Sequence, residues 1–444
     1  MEDVITISTS ELSFAQRRWW NISADVAIMD YQEIFLTDFF LKNVDFDAFA
    51  KTVSFLYDRH ESLRTIFPLV NGEPRQYVIS SKSHILAYLY HDISQLKSND
   101  VNDFIKNIKK INFQELQNGP ITKFLLIKIQ DDLYNICIIL HHIIADTRSV
   151  NILREEFVKV YNGFRKGLNP DLPLQKVQLS AFIAKQNDTI IFRKNRDRAY
   201  WLNKLKPYVT SQNELEKYKP YRLAENRNQK TSFAYVLNIE QSKVNLIKEK
   251  SKSAHVSLSA FFYTSIALCY YVLSRHDRLL IASPFSSRFD PQIENLIGCF
   301  VGHIYLPIVI NETYTFSDLL SIIYKEILNS SRHIIYGYDI LELCEESIKA
   351  ACNIYVNLEI EGSASPTTLP SNLRDGISPH CRVNYPFECS VSQYTDTFSI
   401  RWACNPANFS ENLLPRIAKL HYEIIEEMIK DKNLTIAKFL ELFI

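Results

Sequence analysis

The stretch His141-His142-Ile143-Ile144-Ala145-Asp146-Thr147 stands between an apolar run and an amphipathic segment. The run from Leu133 to Leu140 is typical of a buried strand, whereas the segment from Arg148 to Phe164 places its apolar residues at helical spacing. The pattern therefore predicts a strand, a tight turn and a helix, with two histidines where the strand ends. Because neighbouring side chains of a strand point to opposite sides, we expect His141 and His142 to have different surroundings and different roles. One should face a site and the other the supporting structure.

The composition of the chain argues against several kinds of partner. Its 50 basic and 50 acidic side chains cancel, so no net field attracts nucleic acid or an anionic membrane surface. No apolar run approaches the ~18 residues that a membrane helix requires. The 8 cysteines include no CxxC pair, which argues against zinc ribbons and favours reduced thiols. We therefore expect a cytoplasmic protein that binds neither nucleic acid nor membrane.

Glycine is scarce, with 9 residues in all, and the usual catalytic glycine motifs are absent from the sequence. There is no GxxxxGK[ST] phosphate loop and no HExxH metal motif. The two glycine pairs spaced like a nucleophile elbow enclose Arg165 and Phe300, not serine. With no metal site and no activated nucleophile indicated, the histidine pair is the best remaining candidate for chemistry. A histidine pair taken alone is nevertheless more often structural than catalytic.

A chain of 444 residues predicts two domains. The clearest linker signal is the segment 161–176, which contains two glycines and two prolines. We place the boundary there, which gives an N-terminal half of residues 1–175 with the histidine stretch and a C-terminal half of residues 176–444. Strand-like and helix-like segments alternate in both halves, and helices are expected over 256–274 and 413–429. This order of elements predicts an α/β fold of two layered domains.

Several stretches resemble, in the same order, motifs of one known family, the condensation domains of nonribosomal peptide synthetases. Ser13 to Trp20 is similar to SxAQxRxW, Arg59 to Phe67 to RHExLRTxF, His141 to Thr147 to HHxxxDG, Tyr200 to Leu205 to YWxxxL, and Ile297 to Val301 to the start of IGxFVNT. The resemblance spans about residues 10 to 430. It departs from the family at Thr147, where the motif has glycine, and at Gly302-His303, where it has Asn-Thr.

The resemblance implies the chloramphenicol-acetyltransferase-like fold, with two similar halves forming a V-shaped pseudodimer around a central tunnel. The histidine motif would lie at the floor of that tunnel. A loop near residues 361–386 would cross from the C-terminal half to the N-terminal half. Because one chain supplies both halves, we expect a monomer.

The resemblance also implies an activity, the transfer of an acyl or aminoacyl group from a thioester to an amine in nonribosomal peptide biosynthesis. The thioester would be formed on phosphopantetheine carried by a partner peptidyl or acyl carrier protein, with no cofactor bound to this chain. The family carries the catalytic role on the second histidine, which is His142 here, and leaves His141 structural. A neutral imidazole can accept a proton or position the attacking amine, and both roles stay open.

The resemblance assigns supporting roles to other residues. Asp146 is expected to form an ion pair with Arg288, and the alternative is a helix N-cap. Arg64 is expected in a structural ion-pair cluster with its motif neighbours, and the alternative is a surface cluster. Asn357 is expected to face the tunnel, unless it is an ordinary amide on a strand edge. Thr147 is expected to narrow the tunnel, and it could also cap the following helix.

Three other functions compete with amide formation on carrier-bound substrates. The first is a free-standing acyltransferase of the same superfamily that uses a soluble amine or alcohol acceptor. The second is a non-catalytic relative that recruits partners, against which an intact His142 argues. The third is an epimerase relative, which the opening motif Ser13 to Trp20 fits poorly.

Overall fold

The structure is a computed structural model. It describes residues 6–24, 34–83, 87–96, 100, 104, 113–119, 121–209, 232–334, 352, 354–360, 376–380, 383, 385–394, 397–404 and 411–442. Contacts divide the chain into two compact units, residues 1–193 with 286–301 and residues 194–285 with 302–444. The linker signal before residue 176 therefore precedes the division between the units, which falls at residue 193, inside a long helix.

In the residues described, the first unit contains three sheets and the helices that pack on them. Its strands are β1 (Thr6–Ser10), β2 (Ile34–Lys42), β3 (Thr65–Ile66), β4 (Leu69–Val70), β5 (Glu73–Pro74), β6 (Gln76–Ile79), β7 (Leu89–Asp92), β8 (Thr122–Gln130) and β9 (Leu133–His141). Its helices are α1 (Phe14–Ala24), α2 (Phe46–Arg59), α3 (Phe113–Asn118), α4 (Thr147–Arg165) and the start of α5 (Leu179–Val209). The sheet orders are β2-β9-β8-β7, β1-β6-β3 and β4-β5.

Strand β9 is central in the four-stranded sheet, antiparallel to both β2 and β8. Its residues 135–141 are all buried, which explains why the sequence shows a continuous apolar run instead of alternation. Helix α4 follows after a short turn and packs against α2, where Phe49 and Phe157 meet edge to face at 5.6 Å. The predicted strand, turn and helix are confirmed.

The second unit is built on a seven-stranded sheet of order β12-β11-β13-β15-β16-β10-β14. The strands are β10 (Ser232–Ile239), β11 (Arg278–Ser286), β12 (Val301–Val309), β13 (Ile354–Glu359), β14 (Gly376–His380), β15 (Phe387–Gln393) and β16 (Phe398–Cys404). Its further helices are α6 (Gln241–Ser253), α7 (Leu258–Ser274), α8 (Phe316–Ser331), α9 (Leu414–Lys430) and α10 (Ile436–Leu440).

Helix α7 lies in the core of the second unit and contacts α6, α8 and α9. It is apolar on all sides and buried from Leu258 to Tyr271 except at Ser259. Across the described ranges, no single helix has the length and apolar character needed to cross a membrane. One pair, α6 with α7, bent by 105°, meets that test by length and composition alone.

Candidate active site

His141 is the last residue of β9, and it is completely buried. Its Nδ1 accepts a hydrogen bond from the backbone N–H of Ile143 at 3.1 Å, so the proton of the neutral ring lies on Nε2. Nε2 lies 3.3 Å from the hydroxyl oxygen of Ser23, to which it donates. Burial, with a smaller effect from the charge of His142, lowers the pKa of His141 to about 3. This imidazole is therefore a neutral structural group.

His142 begins the turn after β9 and has a different environment, as the strand geometry predicts. Its ring stacks on the indole of Trp19, with ring centroids 4.0 Å apart and planes inclined by 17°. Its Nδ1 lies 3.9 Å from Sγ of Cys299. The side chain is 7% exposed, whereas that of His141 is fully enclosed. Of the two histidines, only His142 keeps a small accessible surface.

The charge state of His142 follows from this burial. Burial is the main cause that lowers the pKa of His142 to about 4, and the positive charge of Arg18 lowers it further. Hydrogen bonding to the backbone and the negative charge of Asp146 oppose this effect without cancelling it. At neutral pH the imidazole is therefore uncharged, with a lone pair on one nitrogen and a proton on the other.

Asp146 performs both of the roles that the sequence offered as alternatives. As the N-cap of α4, its Oδ1 accepts hydrogen bonds from the backbone N–H and the hydroxyl of Ser149, at 2.8 and 2.7 Å. Arg288 donates to the same carboxylate through Nη2 (2.8 Å) and Nε (3.2 Å), and the N–H of Phe300 donates to Oδ2 at 3.2 Å. The predicted ion pair is thus confirmed, and the buried charge is fully paired.

Arg288 connects the histidine turn to a second segment of the chain. Its Nη1 donates to the carbonyl oxygens of Ile293 and Leu296, each at 2.7 Å, and its guanidinium lies 4.3 Å from the ring centroid of Phe300. With the boundary placed after residue 175, the two partners of this ion pair would belong to different halves. Segment 286–301 instead belongs to the first compact unit, so the ion pair lies within that unit.

Ser149 completes this network, and the sequence analysis missed it. Its hydroxyl oxygen accepts hydrogen bonds from the N–H of Gly298 at 3.0 Å and from Nη2 of Arg288 at 2.9 Å. The same hydroxyl donates a hydrogen bond to Oδ1 of Asp146. A Cβ at Gly298 would lie 2.7 Å from side-chain atoms of both Leu179 and Phe300, so any larger residue there would force these side chains to shift. The available signal was a hydroxyl residue three positions after an N-cap aspartate.

Thr147 is the first residue of α4 and is partly buried. The cap of this helix is Asp146, whose side chain accepts the N–H of Ser149. The suggestion that Thr147 caps the helix is therefore wrong, because the preceding carboxylate already occupies that position. Its predicted effect on a tunnel stays a prediction.

Arg64 does not form the ion pair expected of it. Its Nε donates to the carbonyl oxygen of Tyr57 at 3.0 Å and its Nη1 to that of Ile79 at 2.6 Å. The guanidinium thus joins the end of α2 to β6 through neutral acceptors. Desolvation lowers the pKa of Arg64 from its usual value, although the charges of Glu61 and Asp58 oppose this.

The ion pair of this motif belongs to two other residues. Arg59 forms a bidentate ion pair with Glu156 of α4, through Nε at 3.0 Å and Nη2 at 3.1 Å. Nε2 of His60 lies 2.7 Å from the same carboxylate. Burial alone would raise the pKa of Glu156, but these partners hold it below its usual value. The cluster fixes α4 from the side of α2.

Asn357 lies on β13 of the second unit, opposite Ser390 of β15, and is partly buried. Its role in a tunnel stays a prediction. Most of the crossing loop expected near 361–386 lies outside the described residues. Within this range the structure describes only β14 and positions 383, 385 and 386. Within the ranges described above, no group of three or more His, Cys, Asp or Glu side chains could hold a metal ion.

Comparisons with known proteins agree with this geometry. The chain matches the family model of the condensation domain over residues 7–441. Malpibaldin synthetase of Mortierella alpina is 25% identical over 329 residues, which are 73% of this chain and 6% of the synthetase. The chain spans only between 2% and 12% of the length of three such relatives.

Solved structures show the same fold. The condensation domain from monacolin K polyketide synthase superimposes with a TM-score of 0.75 at 13% identity, covering 98% of this chain and 100% of that one. The first condensation domain of the calcium-dependent antibiotic synthetase gives a TM-score of 0.72 at 13% identity, with coverages of 98% and 99%. The expected α/β fold class is confirmed, and the chain belongs to the condensation-domain family.

Proposed function

We propose that this chain transfers an acyl or aminoacyl group from a carrier-bound phosphopantetheine thioester to an amine, forming an amide bond in nonribosomal peptide biosynthesis. The observation that carries the proposal is the position of His142. It is a neutral, stacked imidazole held at the turn by the Asp146–Arg288 network. Family membership and relatives such as surfactin synthase subunit 1 support the same reaction class.

The reaction needs a nitrogen lone pair and the removal of one proton. The amine attacks the thioester carbonyl, the C–S bond breaks, and the proton lost by nitrogen ends on the departing thiol. An imidazole whose pKa is about 4 is a weak proton acceptor compared with ordinary histidine. It can still accept a hydrogen bond from the attacking amine, which aligns the nitrogen lone pair with the carbonyl. The low pKa therefore favours positioning over complete proton transfer as the role of His142.

We propose carrier proteins as the partners, since the proposed reaction uses a thioester formed on a carrier-bound phosphopantetheine arm. We also propose that the chain acts as a monomer. Light scattering that gave a stable trimer would contradict the monomer.

The direct test mixes the protein with acyl- or aminoacyl-loaded carrier proteins and an amine acceptor, and detects products by mass spectrometry. We expect an amide product when the acceptor is also carrier-bound. A parallel reaction offers the same donor with small soluble amines and alcohols. Product only in the second reaction would favour the free-standing acyltransferase, for which the departure at Thr147 is the supporting observation. No product in either would contradict both.

We expect Thr147→Gly to broaden the range of acyl donors. Threonine at the first position of α4 is β-branched and partly buried next to the turn that carries His142, whereas glycine permits closer approach of a substrate arm. Steady-state kinetics with short and long donors measures the effect, and the KM for the long donor should fall. Thr147→Ser, which keeps the hydroxyl without the branch, is the matched control. An unchanged donor profile with only a lower melting temperature would contradict gating.

A further inference from the structure

Two side chains at variable positions of the family motifs contact His142. Trp19 comes from α1, is 9% exposed, and covers one face of the imidazole. It stands at a variable position of SxAQxRxW, while Trp20 occupies the motif tryptophan. Cys299 stands at the variable position of IGxF and contacts Nδ1. The resemblance assigns no role to either residue.

The placement of Cys299 depends on the network beneath the turn. Gly298 and Phe300 on either side of it are hydrogen-bonded to Ser149 and Asp146. The thiol is 4% exposed, and burial is the main cause that raises its pKa to about 12. It is therefore a neutral S–H group that can share a weak hydrogen bond with the imidazole, not a thiolate nucleophile.

We propose that Trp19 and Cys299 are positioning residues of His142. The indole fixes the plane of the ring and keeps water from one face, while the sulfur of Cys299 accepts a weak hydrogen bond from the N–H at Nδ1 and so favours the tautomer whose lone pair is on Nε2. This rests on the role of His142 proposed above. Because stacking removes the ring from water on that side, Trp19 also keeps the imidazole neutral.

The charged and titratable groups around His142 define what the test must separate. Arg18 disfavours the charged ring, and Asp146 favours it. His141 and the thiol of Cys299 are the other titratable neighbours. None of these groups is removed when Trp19 is replaced. Replacement does remove the contact of the Arg18 guanidinium with the Trp19 ring, 5.5 Å from its centroid, and Trp19→Phe keeps an aromatic ring at that position.

The first test is Trp19→Ala, read by nitrogen-15 NMR of labelled histidine between pH 5.5 and 8 without substrates. In the wild type the ring of His142, assigned with a His142→Gln sample, should stay neutral over this range. In Trp19→Ala it should titrate inside the range, and Trp19→Phe should restore the neutral ring. Trp20→Ala, a buried indole of the same helix, is the control for general destabilisation. If Trp19→Ala does not fold, Trp19→Leu should shift the titration in the same direction by less.

Two results would overturn the role of the stack. One is a His142 ring that stays neutral in Trp19→Ala and Trp19→Leu, and the other is a ring that titrates equally in Trp20→Ala. Both results are independent of the reaction, because they are measured on the resting protein. The proposed function fails separately, if His142→Ala retains its activity.

The second test is Cys299→Ala, compared with Cys137→Ala, a buried cysteine of the same core. We expect Cys299→Ala to lower kcat by about two- to tenfold at unchanged KM, the loss expected for one neutral hydrogen bond. The ring nitrogen resonances of His142 should also shift. Cys299→Ser, which keeps an acceptor for the N–H at Nδ1, should recover part of the rate, and Cys137→Ala should change only the melting temperature. Equal kcat and unshifted resonances in the two alanine variants would overturn the role of Cys299.

Discussion

His142→Ala should lower product formation by roughly 10²–10⁴-fold, the range typical of a lost general acid–base or positioning group. The fold should be retained, because alanine removes a neutral side chain and leaves no buried charge without a partner. The measurement is turnover with purified, loaded carrier protein, together with circular dichroism to confirm folding. Turnover close to the wild-type value would remove His142 from the mechanism.

The neighbouring histidine provides the matched control. His141→Ala deletes the acceptor of the Ile143 N–H and the partner of Ser23, and each buried polar group left unpaired costs about 1–3 kcal/mol. We therefore expect a lower melting temperature and a lower yield of folded protein, with turnover per folded molecule much less affected than in His142→Ala. Of these two adjacent histidines, His142 should thus matter mainly for turnover and His141 mainly for stability.

Arg288→Met should lower the free energy of unfolding by about 3–5 kcal/mol, the loss expected when one partner of a buried ion pair is removed. Methionine conserves much of the apolar volume but leaves the carboxylate of Asp146, whose side chain is 3% exposed, without its counter-ion. It also leaves the carbonyl oxygens of Ile293 and Leu296 without their donor. Equilibrium denaturation in urea measures the change.

Arg64→Met is the control, since this guanidinium also donates to two backbone carbonyls but forms no ion pair with a carboxylate in the described part of the chain. We expect Arg64→Met to lower the free energy of unfolding by clearly less than Arg288→Met does. In the double variant Asp146→Asn with Arg288→Met the total loss should be less than the sum of the single losses, because no charge is then left buried. Equal losses in Arg288→Met and Arg64→Met would mean that the ion pair contributes little to stability.

The local order of elements could be predicted from the sequence because it depends on short-range patterns. The apolar run before His141 gave β9, and helical spacing after Asp146 gave α4, with ends within two residues of those observed. The helices expected over 256–274 and 413–429 correspond to α7 and α9. The opposite surroundings of His141 and His142 followed from the alternation of side chains along a strand.

The partners of Asp146 show where such reasoning ends. Helix-capping chemistry and the resemblance each suggested one partner. A carboxylate has enough lone pairs for both, but only the structure shows that the fold brings both donors to it. For the motif from Arg59 to Phe67, the resemblance indicated an ion-pair cluster, in which Arg59 and His60 pair with Glu156, whereas Arg64 binds backbone carbonyls instead. Arg59 at the end of α2 reaches Glu156 because α2 packs against α4, and this packing is not visible in the sequence.

The sequence by itself determined the family motifs, the strand–turn–helix around the histidines and the identity of His142 as the candidate reactive group. These depend on periodicity, capping and residue order, which act over a few neighbouring positions. Only the tertiary structure decided what surrounds that imidazole: the indole of Trp19, the thiol of Cys299 and the hydroxyl of Ser149 beneath the turn. These contacts join segments far apart in the chain, and their geometry depends on how α1, α4 and the segment 286–301 pack within one core.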